Sequence, residues 1–119
     1  MSIASSVTET VVRKHLTAFL EQQGIAAIVS DYADDARLFS EGRIYHGKQE
    51  IRGFFADFIG ALPADGVERF SLRNLRVDGD IALLTWCLGS DIVLGPDTFV
   101  VNDGKIVSQT FAMQAGSAL

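Results

Sequence analysis

DYADDARLFSEGRIYHGKQEIRGFFADF, residues 31–58, decides the fold, because it joins a short strand, a tight turn and the strongest helical pattern of the chain. Residues 36–39 read as a strand, and Ser40-Glu41-Gly42 reads as a turn. Apolar residues then recur with the helical period, namely Ile51, Phe54, Phe55, Phe58, Ile59 and Leu62. The pattern predicts a long helix that begins near Lys48 and ends at Pro63.

The residues before this stretch predict two further helices. Ser6 and Glu9 have the spacing of a capping box, so we expect a helix to begin there, after a loose tail, and to end at Gly24. A short second helix is predicted over residues 25–32, with Tyr32 on its buried side.

The second half of the chain predicts an antiparallel sheet. Alternating apolar residues are separated by turns of the Asp-Gly, Gly-Pro and Asn-Asp-Gly type. The expected strands are residues 67–77, with a bulge near Asn74, then 81–89, 97–101 and 105–113, before a frayed C-terminal tail.

Helices first and hairpin-connected strands last predict an α+β fold, with three N-terminal helices on one face of a curved, mixed-edge antiparallel sheet. A length of 119 residues suits one domain, with its core at about residues 7–113. The outer sheet face would carry Val100, Ile106 and Cys87, an apolar patch too large for a monomer. We therefore expect a homodimer through this face.

Composition excludes several classes of function. A net charge of −5 with no basic cluster argues against a nucleic-acid partner. No apolar run is long enough to span a membrane, and no signal peptide is recognisable, so a cytoplasmic location is expected. The single cysteine, Cys87, cannot form an internal disulfide. Metal-binding and phosphate-binding motifs are lacking, so we expect neither a metal nor another cofactor.

Three motifs in order carry a resemblance to a known superfamily. They are YADDA at residues 32–36, G-x-x-x-x-G-K-x-x-I-x-x-F at 42–54 and DTFVVNDGKI at 97–106. Together they resemble the nuclear transport factor 2-like superfamily, which has the cystatin-like fold, and within it the SnoaL-like domains and the ketosteroid isomerases. The resemblance implies a cone with an apolar cavity at its open end, on a fold that hosts isomerases, cyclases and non-enzymes.

Asp97 is the predicted catalytic residue. It is in phase with Phe99 and Val101, which we place on the inner face of the sheet, where burial would raise the pKa of a carboxyl group. The resemblance implies that it matches the protonated aspartic acid with which the isomerases donate a hydrogen bond to an oxyanion. The alternative is an Asp that caps the turn after Gly-Pro.

The other chemistry-bearing positions of the resembling enzymes are not retained. The isomerase base would fall at Ser40, whose hydroxyl pKa is too high for proton shuttling. The isomerase tyrosine would fall at Leu16 or Thr17. An acid of the SnoaL-like cyclases and of the limonene-type epoxide hydrolases would fall at Phe111, and an arginine of the hydrolases at Gly95.

A ligand-binding wall is predicted around Asp97. Gln109, in phase with Val107 and Met113, is expected to point inward and either bind a ligand carbonyl or hold Asp97, unless it is a half-exposed strand residue. The other expected lining residues, for which plain core packing is the alternative, are Trp86, Tyr32, Ser40, Phe55, Phe111 and Leu16.

The remaining polar residues have weaker claims. His46 could act as an acid or base at the cavity mouth, although a turn residue at a helix start is the simpler interpretation. His15 is expected at the core boundary. Asp34 and Asp35 are interpreted as caps of the turn before the strand rather than as a carboxylate pair.

The sequence therefore predicts binding of a small apolar organic molecule in the cone, with isomerase- or cyclase-type chemistry assisted by Asp97. Three alternatives stay open: a non-catalytic ligand-binding module, a protein-interaction module, and a cavity closed by its own aromatic side chains.

Overall fold

The computed structural model describes residues 3–89, 92–94 and 96–115 of the chain. Its helices are α1 (Ile3–Leu20), α2 (Ile25–Val29), α3 (Gly47–Ala61) and α4 (Gly66–Arg69). Its strands are β1 (Tyr32–Phe39), β2 (Ile44–His46), β3 (Phe70–Asp78), β4 (Ile81–Leu88), β5 (Ile92–Leu94), β6 (Asp97–Asn102), β7 (Lys105–Thr110) and β8 (Met113–Ala115). None of these helices has both the length and the apolar character needed to cross a membrane.

The strands form one curved sheet, and the α+β prediction is confirmed. Its order is β2-β1-β7-β6-β4-β5-β8, with β3 paired to β4. The β1–β7 pair is parallel and the others are antiparallel, so the sheet is mixed as expected. The predicted bulge in β3 lies between Leu72 and Asn74.

The core lies between the inner sheet face and helices α1 and α3. Along β4 the buried residues Leu84, Trp86 and Leu88 alternate with the more exposed Leu83, as the period of a strand requires. The helix α3 contributes the buried Ile51, Phe54 and Phe55 from its predicted apolar stripe. Helix and sheet thereby enclose an interior rich in aromatic side chains.

The first helix does not begin at the predicted capping box. It begins at Ile3, and the carbonyl of Ser6 accepts a bond from the Thr10 hydroxyl within the helix. Two contacts to the β3–β4 turn hold this first segment: the Thr8 hydroxyl donates to the Gly79 carbonyl at 2.7 Å, and the Gly79 N–H donates to the Ser5 hydroxyl at 2.8 Å. Tertiary contacts therefore extend the helix beyond its local signal.

Sheet pairing shortens the second helix. Tyr32 was predicted at its end, but it opens β1 and pairs with Ile106. The register of β1 against β7 shifts between Tyr32 and Arg37, and this irregularity leaves both Asp34 and Asp35 exposed within the strand rather than in a turn. Residues 66–69, predicted mostly as strand, form α4 instead.

A second irregularity changes the last predicted strand. The register of β6 against β7 shifts between Val100 and Val101, so Ile106 is fully buried and Val107 only half-buried. The prediction that Ile106 faces outward and Val107 inward is therefore wrong. The strand ends at Thr110, and β8 follows as a separate strand. Gly95, the Met113 side chain and residues 116–119 of the tail lie outside the described part of the chain.

Candidate functional site

A cavity of about 40 Å³ lies between α1, α3 and the inner face of the sheet. Its described walls are mainly aromatic and aliphatic. Among the described lining residues, His15 and Asp97 can ionise, Gln109 carries an amide, and Trp86 carries an indole N–H. The lining residues are His15, Leu16, Phe19, Phe55, Phe58, Phe70, Leu84, Trp86, Asp97, Phe99, Gln109 and Phe111. The volume corresponds to roughly one to three water molecules.

Asp97 begins β6 on the inner face and is 3% exposed. The side-chain N–H of Gln109 donates to its Oδ2 at 3.2 Å, while its Oδ1 has no hydrogen-bond partner among the described residues. Burial raises the pKa of Asp97 to about 8, against the opposing effect of polar contacts with Gln109 and Trp86. The carboxyl group is therefore mostly protonated at neutral pH and can donate a hydrogen bond.

Tyr32 orients Gln109 from behind the cavity wall. Its phenol donates to Oε1 of Gln109, which leaves the amide N–H groups of Gln109 facing Asp97. Tyr32 is itself completely buried and does not line the cavity, contrary to the predicted direct contact. Burial, with the nearby carboxylates, raises its pKa well above the ordinary value, so the phenol stays protonated.

His15 and Asp31 belong to this polar cluster, and the sequence interpretation missed them. His15 is 5% exposed and lines the cavity, so its expected boundary position is wrong. Its Nε2 lies 3.4 Å from the Tyr32 oxygen, and its Nδ1 lies 3.8 Å from Oδ2 of the buried Asp31. Burial lowers the pKa of His15 to about 4, although Asp31 acts in the opposite direction. The imidazole is therefore neutral at pH 7.

A signal for His15 was present in the sequence. Thr8, Val12, His15 and Phe19 follow one another at intervals of four, three and four residues, and all four are buried on α1. A histidine inside such a stripe faces the core rather than its boundary. Asp31 carried no comparable signal, because its burial depends on the pairing of β1 with β7.

A wider groove of about 400 Å³ adjoins the cavity. The two spaces share Phe58 and Phe111, whose ring centroids are 5.3 Å apart. Ser40 lines this groove rather than the inner cavity, and its hydroxyl donates to the Arg43 carbonyl at 3.2 Å. The other lining residues are Glu41, Gly42, Tyr45, Phe54, Asp57, Ala61 and Ala112.

The structure thus brings most of the predicted residues to one place. The cavity wall holds Asp97 together with Gln109, Trp86, Phe55, Phe111 and Leu16. His46, however, is exposed at the start of α3, where its backbone N–H donates to Glu50, so it does not face the cavity. Within residues 3–89, 92–94 and 96–115, no three metal-binding side chains are grouped.

Sequence comparison identifies the family of the domain. The family model described as the SnoaL-like domain matches residues 12–109. No significant match was found among curated proteins.

Solved structures with the same fold confirm the architecture predicted from the three motifs. A nuclear transport factor 2-like protein of unknown function from Burkholderia xenovorans has a TM-score of 0.77 and 15% identity, with 95% of this chain and 87% of that chain covered. A candidate polyketide cyclase from Sinorhizobium meliloti has a TM-score of 0.70 and 22% identity, with 88% and 94% covered. A candidate ketosteroid isomerase from Kribbella flavida has a TM-score of 0.71 and 19% identity, with 92% and 79% covered. At these identities the likeness establishes the fold alone.

Proposed function

This chain belongs to the SnoaL-like domain family, and from that premise we propose that it binds a small, largely apolar organic carbonyl compound in its cone. In this proposal Asp97 donates a hydrogen bond to the carbonyl or enol oxygen of the ligand. Gln109 holds the carboxyl group in place from the other side.

The observation that carries the proposal is that Oδ1 of Asp97 has no hydrogen-bond partner among the described residues. A buried polar atom without a partner costs on the order of 1–3 kcal/mol, so a ligand oxygen that fills this position gains from the missing bond. Oδ1 is buried and belongs to a cavity wall that is otherwise mostly apolar. Because burial keeps the pKa of Asp97 at about 8, the group acts as a donor at neutral pH.

The size of the two spaces supports a division of the ligand between them. A cavity of about 40 Å³ accepts little more than the oxygen-bearing end of an organic molecule. The groove of about 400 Å³ has room for the remainder. In this proposal Phe58 and Phe111 turn aside to admit the ligand between them.

Binding of cyclohexanone, followed by the fluorescence of Trp86, tests this function. Trp86 is the single tryptophan of the chain and lies in the cavity wall, so its emission reports on occupancy. We expect cyclohexanone to bind, and Asp97→Ala to weaken binding by roughly three- to tenfold, the value of one hydrogen bond. Asp97→Asn keeps an N–H donor and is expected to retain most of the affinity.

Two controls complete the experiment. Asp35→Ala removes an exposed carboxylate from β1 and is expected to leave the affinity unchanged. Methylenecyclohexane has a similar shape but no oxygen, so its affinity is expected not to depend on Asp97. Equal affinity of the wild type and Asp97→Ala for cyclohexanone would contradict the proposal.

A non-catalytic carrier is the second candidate function, and the orientation of His15 favours it. Among the described residues of the cavity wall, His15 and Asp97 are the only ones that could act as an acid and a base together. Both nitrogens of His15 are directed at Tyr32 and Asp31 rather than at the cavity. Proton transfer to carbon needs a base in reach of the substrate.

Exchange of the α-hydrogens of cyclohexanone in D₂O separates the two functions. If the wild type accelerates this exchange, and Asp97→Asn still binds cyclohexanone but no longer accelerates it, the result would support acid-assisted chemistry. Binding without acceleration would support the carrier.

A further inference from the structure

A continuous series of polar groups leads from the surface of α1 to the cavity. The Lys14 ammonium lies 2.9 Å from Oδ1 of Asp31, whose Oδ2 faces Nδ1 of His15 at 3.8 Å. His15 Nε2 lies 3.4 Å from the oxygen of Tyr32, which donates to Gln109. We refer to this series, which ends at the cavity acid, as the polar chain: Lys14, Asp31, His15, Tyr32, Gln109 and Asp97.

The single proton of the Tyr32 phenol fixes the tautomer of His15. Because Tyr32 donates to Gln109, its oxygen can only accept from His15, and this requires a proton on Nε2. His15 is neutral, so its Nδ1 then carries no proton. Nδ1 and the facing Oδ2 of Asp31 both lack hydrogen-bond partners among the described residues, whereas Asp31 and the backbone of Ile28 both act on His15 in favour of a further proton.

The same order of hydrogen-bond donors and acceptors continues to Asp97. The amide N–H of Gln109 donates to Oδ2, so the proton of the neutral carboxyl group is assigned to Oδ1, which has no hydrogen-bond partner among the described residues. If His15 carried its proton on Nδ1 instead, Tyr32 would donate to His15 and the amide of Gln109 would turn over. Asp97 would then donate from Oδ2 to Gln109 and present an acceptor to the cavity.

We infer that His15 and Asp31 are positioning residues of this site, and that the His15 tautomer decides whether Asp97 offers the cavity a donor or an acceptor. A donor selects carbonyl oxygens, whereas an acceptor selects hydroxyl groups. The ligand part of the inference rests on the proposed function, while the tautomer is a property of the free protein.

Lys14 supplies the bias toward the donor. A carboxylate attracts a proton to the nearer ring nitrogen, so Asp31 alone would favour Nδ1–H. The ammonium of Lys14 neutralises much of this pull from the opposite side of Asp31. Lys14 has a side chain that is 66% exposed, so its charge can be removed without opening the core.

Long-range ¹H–¹⁵N spectra of the imidazole nitrogens test the inference directly. The chain has two histidines, and His46→Gln assigns the signals of His15. We expect Nε2–H in the wild type and a shift toward Nδ1–H in Lys14→Met. The affinity for cyclohexanone is expected to fall in the same variant by roughly three- to tenfold, because the donor to the carbonyl is lost.

Arg13→Met is the matched control. It removes one positive charge from the adjacent position of α1, where Arg13 pairs with Glu9 rather than with the polar chain. Neither the tautomer nor the affinity is expected to change in this variant.

Tyr32→Phe cuts the polar chain and separates a positioning role from a structural one. In this background Lys14→Met is expected to change the affinity for cyclohexanone less than about twofold, since the tautomer can no longer reach Gln109. An Nδ1–H tautomer in the wild type, or an unchanged tautomer in Lys14→Met, would overturn the inference. Failure of cyclohexanone to bind the wild type would instead refute the proposed function, and the ligand-free spectra would still decide the inference.

Discussion

The side-chain amide nitrogen of Gln109 lies 3.2 Å from Oδ2 of Asp97 and leaves the second carboxyl oxygen of Asp97 without a partner among the described residues. One oxygen is thus fixed by the protein, and the other is the oxygen that we propose for contact with a ligand. This asymmetry requires Gln109 to be oriented by Tyr32 on its far side. The acid is therefore held by a buried network and not by a single contact.

Taken alone, Asp97 is expected to lower the stability of the fold as pH rises from about 4 to 8. In the folded protein its pKa is raised from 3.8 to about 8, so between these values the folded state holds a proton that the unfolded state has lost. Raising the pH then favours unfolding, by up to about 1.4 kcal/mol per pH unit. The side chain at this position does not titrate in the Asp97→Asn variant. Urea unfolding is therefore expected to show that the difference in free energy of unfolding between the wild type and this variant shrinks as the pH rises across this window. A constant difference would contradict the raised pKa.

His15 is expected to make the fold more stable as the pH rises, in a window at lower pH. Its pKa is lowered from 6.5 to about 4, so between these values the unfolded state binds a proton that the folded state does not. Stability therefore rises with pH by up to about 1.4 kcal/mol per unit in this window and largely offsets the fall due to Asp97. We expect a nearly flat contribution of the two groups from about pH 4 to 6.5, followed by a fall toward pH 8.

Unfolding of His15→Gln at several pH values checks this compensation. The variant removes the rise with pH, so its stability is expected to decrease steadily from pH 4 to 8. The exposed His46 provides the control, and His46→Gln is expected to follow the wild type. Parallel curves for His15→Gln and the wild type would show that His15 is not buried in its neutral form.

The sheet half of the site was predictable because a strand has a short, regular period. Asp97 lies in phase with Phe99 and Val101, and all three are buried as the alternation requires. Gln109 was predicted to point inward because it is in phase with Val107. The bulge in β7 turns Val107 away from the core, and Gln109 nevertheless remains buried. A bulge that depends on the partner strand leaves no reliable mark in the sequence of its own strand.

The helical half of the site was not predictable to the same degree. The approach of Asp31 to His15 depends on β1 pairing in parallel with β7, where the Ile106 N–H donates to the Asp31 carbonyl at 2.8 Å. Parallel pairing joins segments far apart in the chain, and local patterns do not specify it. The motifs of residues 31–58 therefore helped to identify the fold but left the roles of His15 and Asp31 undetected.

The corner between β2 and α3 is expected to require glycine at residue 47. Gly47 has a φ of +82°, and an added Cβ would lie 3.4 Å from the Asp34 carbonyl oxygen. We expect Gly47→Ala to lower the free energy of unfolding by about 1–2 kcal/mol, the cost of a left-handed conformation for a residue with a side chain. Thermal unfolding measures the change.

Gly53→Ala is the matched variant within the same helix. Gly53 lies on the solvent-exposed side of α3, away from both helix ends, and its added Cβ would meet no atom within 4 Å. Alanine has the higher helix propensity, so a gain of roughly 0.5–1 kcal/mol is expected. Destabilisation by both variants would indicate that the backbone at residue 47 is not the cause.

The outer face of the sheet is expected to form a homodimer interface. Ile81 and Leu83 are 48% and 36% exposed on this face, and Val100 pairs with Ile81 beside them. Ile106, however, is buried in the core and does not contribute, so the apolar patch is smaller than predicted.

We expect light scattering to give a dimer for the wild type and a monomer for Leu83→Lys, because a buried unpaired ammonium opposes association. Leu72 is 40% exposed but lies opposite Trp86 and therefore on the other face, so Leu72→Lys is expected to remain dimeric. A wild-type monomer at high protein concentration, or loss of the dimer in both variants, would refute this interface.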